Sequence, residues 1–293
     1  MKASKNNIPV GAYRALLVVA TMVWGLGFGI GKYAIGIVGA TWFTCIRFVF
    51  SGLVLLVVLF PHFRRHIDRN MLRAGIIIGV FSFFGFWTQF IGLGLTTASK
   101  NAFLSTCYCI TVPFIWWAIA RRRPAKRVFV AATICAVGIG FVSLQEGFTI
   151  SAGDAMSILS AFAYGAEIVA IGIVMRDNDV FTVTIVQQLT AGVLAGLFAL
   201  FVDPLPNAEL FTNPLLIGAL AYIVLLSASF GAIAQNLAQA HIPPAEAGIL
   251  CSLESVFCAI SSVLLFGEVF TVQLVFGFAL IFFAVLLSQR EGA

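Results

Sequence analysis

A lysine and an asparagine interrupt a long apolar sequence in the segment TTASKNAFLS, residues 96–105. No charged residue occurs in the 26 positions before Lys100 or in the 19 positions after Asn101. A charge at the centre of a membrane helix costs about 2.5–3.5 kcal/mol on insertion scales, although a lysine near a helix end can extend to the head groups. Lys32 and Arg47 are predicted at a similar depth. The three cations therefore predict a positive vestibule that could hold a carboxylate, with Asn101 as an additional donor.

Two glutamates lie within apolar segments, which makes them the sharpest acidic candidates. Glu167 is flanked by Ala166 and Ile168, and Glu254 lies in the triplet SLE. A buried carboxylate requires a partner or a proton. Either these groups bind an amine, a proton or another cation in transit, or they pair with basic side chains for structure.

Polar and aromatic residues near the middle of the apolar segments extend this candidate binding site. Gln89 and Gln235 occupy related positions in an internal repeat, which favours a shared role. Four aromatic residues could line a cavity suited to apolar or aromatic groups, or could simply pack against helices and lipid: Trp24, Trp87, Tyr108 and Tyr164.

The composition indicates a membrane protein. Hydrophobic residues make up 61% of the 293 positions, charged residues 10%, and the mean hydropathy is +1.05; a soluble chain is about 25% charged. Apolar segments recur at the length of about 20 residues that spans hydrocarbon as a helix. We predict an all-α polytopic fold with ten transmembrane helices, at 14–37, 41–60, 74–94, 99–120, 128–145, 154–175, 181–202, 214–236, 246–266 and 271–289.

The basic residues predict the orientation of these helices. With a cytoplasmic N-terminus, fourteen of the seventeen lysines and arginines fall on the cytoplasmic side, and the outer loops contain none. The positive-inside rule then places both termini in the cytoplasm, in a multi-pass protein of a cell (inner) membrane. The basic pI is explained by this distribution, and no nucleic-acid partner is predicted.

An internal duplication divides the chain in two. At an offset of 140, Trp24 and Gly25 align with Tyr164 and Gly165. Further matches at offsets of 140 and 146 are Thr44 with Thr184, Arg47 with Gln187, Gly52 with Gly192, Phe84 with Phe230, Gly85 with Gly231, Gln89 with Gln235 and Leu104 with Leu250. Five helices per copy is an odd number, so residues 1–150 and 151–293 are predicted as inverted repeats with a substrate site at their interface.

Several motifs resemble those of the drug/metabolite transporter superfamily, specifically its ten-helix EamA-type transporters. They include VWGLGFGIGK near the N-terminus, TTASKNAFLSTCYCITVPF followed by RRRP, the pair Gln187 and Gln188, and PPAEAGILCSLESVFCAISSVLLFGEVF. The resemblance covers nearly the whole chain. It implies export or exchange of small metabolites without naming one.

Enzymatic function is not predicted. The sequence has no P-loop, HExxH or GxSxG motif, and the glycines of GLGFGIG lie in a span with helix-packing spacing. The six cysteines all fall in apolar segments and are interpreted as packing residues. No metal or cofactor is expected.

Taken together, the residues predict a secondary, non-ATP transporter that exports amino acids or related small metabolites by alternating access. Its expected partners are a small-molecule substrate, the lipid bilayer and, as a candidate co-substrate, H+. Two alternatives remain open: efflux of multiple drugs or organic cations by proton exchange, and a non-transport channel or scramblase.

Overall fold

A computed structural model describes residues 9–121, 123, 125–143, 150–207 and 212–289. Every regular element in this part of the chain is helical. In chain order the helices are α1 Val10–Val38, α2 Ala40–Val58, α3 Phe60–His66, α4 Arg69–Leu95, α5 Ala98–Ser105, α6 Tyr108–Ala120, α7 Lys126–Ser143, α8 Ala152–Val174, α9 Val180–Val202, α10 Pro214–Ala221, a π-helical segment Tyr222–Phe230, α11 Gly231–Gln239, α12 Pro244–Phe266 and α13 Val272–Gln289.

The helices identify a multi-pass membrane protein. Within the described ranges, eight helices are long and apolar enough to cross a bilayer, with α5–α6 and α10–α11 each forming one continuous candidate. The apolar stretch Val272–Leu287 is shorter. The all-α polytopic fold is therefore confirmed, whereas the total of ten spans stays a prediction.

Side-chain caps explain where several helices begin. A capping oxygen accepts a hydrogen bond from one of the first backbone amides, which have no partner inside the helix. The capping residues are Asp68, Thr97, Ser151, Asp179 and Asn213. Between α1 and α2 the chain turns at Gly39, whose φ of 82° favours glycine.

Two predicted spans are interrupted in the structure. The span at 99–120 is broken between α5 and α6, where Cys107 N and Cys109 N donate to carbonyls three residues earlier, a tighter turn than an α-helix. The span at 214–236 contains the π-helical segment, in which Ser229 Oγ bonds Val224 O over 2.8 Å. A hydropathy pattern contains no signal for either irregularity, because both leave the segment apolar.

The second helices of the two repeats pack antiparallel. A Cβ on Gly52 would lie 2.6 Å from Leu189 Cδ2, and a Cβ on Gly192 would lie 2.8 Å from Val49 Cγ2. Both glycines and both partners are separated by 140 positions, so exchanging the repeats converts one contact into the other. Equivalent helices that run in opposite directions are the mark of an inverted repeat.

A second pair of contacts repeats across the halves. The Tyr164 ring lies over Gly85, where an added Cβ would be 2.9 Å from ring atoms, and the Trp24 indole lies over Gly231 in the same way. These are the residues that the two sequence offsets align. Because Gly85 and Gly231 have no side chain, α8 can approach α4 closely and α1 can approach α11 closely, and Tyr164 and Trp24 lie at the interface between the repeats.

Candidate functional site

A cavity lies at the interface between the two repeats. Its walls come from α1, α2, α4, α6, α8, the π-helical segment, α11 and α12. The predicted residues that line it are Trp24, Arg47, Gln89, Tyr108, Tyr164, Glu167, Gln235 and Glu254. The structure therefore places one arginine and two carboxyl groups in a single space that six aromatic rings also line.

Glu254 approaches the cavity from α12. Its Oε1 accepts a hydrogen bond from the Tyr108 hydroxyl over 3.3 Å, and both residues are buried. The neighbouring serines are paired within α12, because Ser252 Oγ donates to Ile249 O and Ser255 Oγ donates to Ser252 O. One carboxylate oxygen has this tyrosine as its partner, and the side chain lines the cavity.

Glu167 is held by a network of polar side chains on α8, α4, α9 and α11. Its Oε1 accepts hydrogen bonds from Ser82 Oγ at 2.6 Å and Gln187 Nε2 at 3.2 Å. Gln187 Oε1 in turn accepts from Asn236 Nδ2 at 2.7 Å. This network fixes the carboxyl group of Glu167, because each member is anchored on a different helix.

Arg47 extends from α2 into the cavity. Its Nη1 donates to Ser227 Oγ over 3.0 Å, and its guanidinium carbon lies 4.4 Å from the centre of the Phe86 ring, a cation–π geometry. The buried Nε has no hydrogen-bond partner within the described residues. Since an unsatisfied buried donor is costly, this nitrogen is suited to bind an acceptor that enters the cavity.

Gln89 and Trp24 are oriented by hydrogen bonds at the cavity wall. The Tyr164 hydroxyl donates to Gln89 Oε1 over 2.5 Å, while Gln89 Nε2 donates to Ser105 Oγ over 3.1 Å. Trp24 Nε1 donates to Ser227 O over 2.9 Å. The polar atoms of these side chains are thereby satisfied, which leaves their apolar surfaces to shape the cavity.

Comparison with known proteins identifies the family. A model of the EamA-like transporter family matches residues 13–144 and again residues 151–289. The chain belongs to the EamA-like transporter family. An uncharacterized transporter of Archaeoglobus fulgidus is 28% identical over 271 residues, covering 92% of this chain and 83% of that relative. A solved crystal structure shares the fold with a TM-score of 0.69 at 14% identity, over 94% of this chain and 95% of the other.

The family assignment confirms the resemblance seen in the motifs and makes this EamA-like chain a membrane transporter. The assignment points to a transporter rather than an enzyme. The cavity is consistent with this, because an arginine, two carboxyl groups and aromatic rings can bind a small molecule. In the described part of the chain no three His, Cys, Asp or Glu side chains are grouped as metal ligands would be.

Four predicted residues of the EamA-like chain lie outside the cavity wall. Lys100 Nζ pairs with Asp154 Oδ2 at 3.0 Å, and Lys32 bonds the carbonyl of Thr96. Both lysines line a second pocket near the ends of α1 and α4. Of the three predicted cations, Arg47 alone is in the main cavity.

Asn101 and Trp87 make contacts beside the cavity. Asn101 Nδ2 donates to Gln89 O at 3.0 Å and to Ser157 Oγ at 2.7 Å, which joins α5, α4 and α8. Trp87 Nε1 donates to Thr41 Oγ1 at 3.2 Å, and its ring stacks on Phe83. Asn101 thus hydrogen-bonds the backbone of Gln89 without lining the cavity itself.

Sequence reasoning missed other residues of the cavity wall. They are Gly27, Phe28, Phe86, Phe90, Leu93, Ile168, Ile223, Ser227 and Cys251. The chain has 29 phenylalanines, so composition cannot distinguish Phe28, Phe86 and Phe90 from phenylalanines that face lipid. For Gly27 a signal existed: it lies 140 positions before Glu167, and therefore at the equivalent point of the first repeat.

Proposed function

We propose that this EamA-like protein is a secondary transporter that exports amino acids or related small metabolites by alternating access of the cavity between its repeats. The carrying observation is the composition of that cavity, in which Arg47 faces the same space as Glu167 and Glu254. A zwitterion has the complementary charges. Arg47 binds its carboxylate, Glu254 or Glu167 receives its amine, and the rings of Phe86, Tyr164 and Trp24 contact its side chain.

The proposal includes an orientation and an energy source. Both termini are cytoplasmic in a cell (inner) membrane, as the positive-inside rule favours. Residues 1–150 and 151–293 act as the two repeats that move against each other. Transport is uniport or proton-linked exchange, because the chain contains no nucleotide-binding motif and two cavity carboxyl groups could carry a proton.

Efflux of organic cations by proton exchange is a second candidate. The two carboxyl groups favour it, since either could hold a cation or a proton. A cationic substrate, however, would leave the unpaired Nε of Arg47 buried without an acceptor and would be repelled by the guanidinium. We therefore place the zwitterion first.

A ligand screen on purified protein tests this choice. Ligands that bind the folded state raise the apparent stability, so thermal shifts are compared for leucine, phenylalanine and their analogues lacking either the amine or the carboxylate. We expect the intact zwitterions to give the largest shifts. Larger shifts with the decarboxylated amines, retained in Arg47→Gln, would instead support the organic-cation candidate.

Reconstituted vesicles then test transport. Vesicles loaded with the best zwitterion should take up the radiolabelled compound by exchange, whereas protein-free vesicles should not. A flux that does not saturate with substrate concentration would support a channel or scramblase in place of a transporter.

A further inference from the structure

Besides His62–Asp179, two ion pairs connect the repeats in the described part of the chain. Lys100 Nζ on α5 lies 3.0 Å from Asp154 Oδ2 on α8, and Arg14 on α1 pairs with Glu246 on α12. In each pair, one side chain belongs to the first repeat and the other to the second. Neither pair contributes to the wall of the main cavity.

The two ion pairs are the same contact with the charges reversed. Lys100 and Glu246 lie 146 positions apart, and Arg14 and Asp154 lie 140 positions apart, the offsets that align the rest of the repeats. Both cations have thus been replaced by anions at the equivalent positions, and both anions by cations. The two pairs therefore share the attraction between opposite charges, although the sign of the charge at each equivalent position differs between the repeats.

The pairs lie at opposite faces of the membrane. Lys32 and Lys100 line one pocket, whereas Arg14 precedes Lys32 by 18 residues on the same helix, which is about 27 Å along its axis. We define the face of Lys100 as the outer face and the face of Arg14 as the inner face, in the orientation proposed above. Each face therefore has one of these two ion pairs.

The environments of the two pairs differ. The side chains of Lys100 and Asp154 are only 9% and 0% exposed, and Thr96 Oγ1 adds a hydrogen bond to Asp154 Oδ1 at 3.0 Å. The side chains of Arg14 and Glu246 are 52% and 29% exposed. A buried ion pair holds its position strongly, because losing one partner strands a charge, while an exposed pair is weak. The structure is therefore tied more firmly at the outer face.

We propose that these ion pairs are alternating latches, Lys100–Asp154 closing the outer face and Arg14–Glu246 closing the inner face. This inference rests on the alternating access proposed above: when the repeats separate at one face, the ion pair at that face breaks while the pair at the other face stays formed, and this structure has both pairs formed. Because inverted repeats exchange conformations, equivalent positions must serve at both faces, which explains why the pairing recurs.

Cys251 supplies a reporter, because it lines the main cavity. In a variant that retains Cys251 as its single cysteine, a membrane-impermeant thiol reagent is applied from either side of oriented vesicles. Asp154→Asn should raise labelling from the outer side relative to the inner side by about fivefold or more, the low end of couplings between linked sites. Arg14→Gln should change the ratio in the opposite direction.

Charge exchange separates a latch from a purely structural contact. The double variant Lys100→Asp with Asp154→Lys should return the labelling ratio to that of the parent, as should Arg14→Glu with Glu246→Arg. Arg69→Gln, which removes a cation from outside both pairs, is the control and should leave the ratio unchanged.

Equal changes of labelling from both sides, or an unchanged ratio in both single variants, would overturn the latches. The assay is independent of substrate. Zwitterion exchange with an unmoved ratio would reject the latches and leave the proposed function standing. A ratio that moves as expected without zwitterion binding would reject the substrate class and leave the latches standing.

Discussion

The Tyr108 hydroxyl donates a hydrogen bond to Glu254 Oε1 over 3.3 Å, and the two residues occupy equivalent positions in the two repeats, 146 apart. Equivalent residues can touch only where they approach the axis that relates the copies. This contact therefore marks the pseudo-twofold axis and locates it in the cavity wall. At this equivalent position the second repeat has the carboxyl group of Glu254, and the first repeat has the phenol of Tyr108.

Replacing Glu254 by Gln should weaken the zwitterion while keeping the shape of the site. A hydrogen bond to a charged group contributes about 1.5–3 kcal/mol, so we expect KM for exchange to rise by at least about tenfold at 1.4 kcal/mol per factor of ten. Tyr108→Phe removes only the partner of the carboxylate and should have a smaller effect. Initial rates over a range of substrate concentrations check both, and unchanged kinetics and pH dependence in Glu254→Gln would remove this residue from the mechanism.

Replacing Arg47 by Lys should not preserve function, although the positive charge remains. The planar guanidinium lies against the Phe86 ring, donates to Ser227 Oγ through Nη1, and has its Nε buried. An ammonium group on a flexible chain reproduces neither the stacking nor the hydrogen-bond geometry. We expect Arg47→Lys and Arg47→Gln both to lose most of the thermal shift given by a zwitterion. If the lysine variant keeps the full shift, charge alone is sufficient at this position.

The all-α polytopic fold and its two repeats could be predicted from sequence, because the lengths of apolar segments and the matching positions are visible in the sequence itself. Eight of the twelve predicted site residues line the cavity. The pairing of Lys100 with Asp154 could not be predicted from the sequence, because it depends on which helices of the two repeats pack against each other. Lys32 and Arg47 were predicted at one depth, yet depth does not determine whether a side chain faces the central cavity or the outer pocket.

The π-helical segment beside the cavity could not be predicted from the sequence either. The π-helical segment places Ser227 where its carbonyl accepts from Trp24 and its hydroxyl from Arg47. An apolar sequence such as YIVLLSASF is compatible with either helix type. The segment packs against α1 and α2, and π-helical turns are often found at functional sites.

Replacing Gly231 by Ala should damage the protein, although alanine normally favours helices. The new Cβ would lie 2.3 Å from Trp24 Nε1, whose hydrogen bond to Ser227 fixes the indole. Overpacking of this kind costs about 1–3 kcal/mol. The matched control is Gly218→Ala in the same predicted span, where nothing lies within 4 Å of the new Cβ. Thermal unfolding in detergent should show a lower Tm for Gly231→Ala only; equal Tm values would show that α1 can move away without cost.

Asp179 provides a test of stability against pH at the start of α9, outside the spans. Burial raises the pKa of its carboxyl group, but hydrogen bonds from Thr182 and contact with His62 outweigh this and leave the pKa below its ordinary value. A depressed pKa in the folded state means that ionised Asp179 stabilises the fold fully above the unfolded pKa of about 3.9 and progressively less as pH falls below it.

Asp179→Ala should therefore lower the free energy of unfolding by about 1 kcal/mol near neutral pH, the usual cost of losing an N-cap. The difference in Tm from the unchanged protein should shrink as the pH falls from about 4 toward 2, because protonation progressively removes the charge from the parent as well. Asp179→Asn keeps a capping oxygen without the charge and should fall between the two at neutral pH. A Tm difference that stays constant over this range would show that the ionised carboxylate contributes nothing beyond its shape.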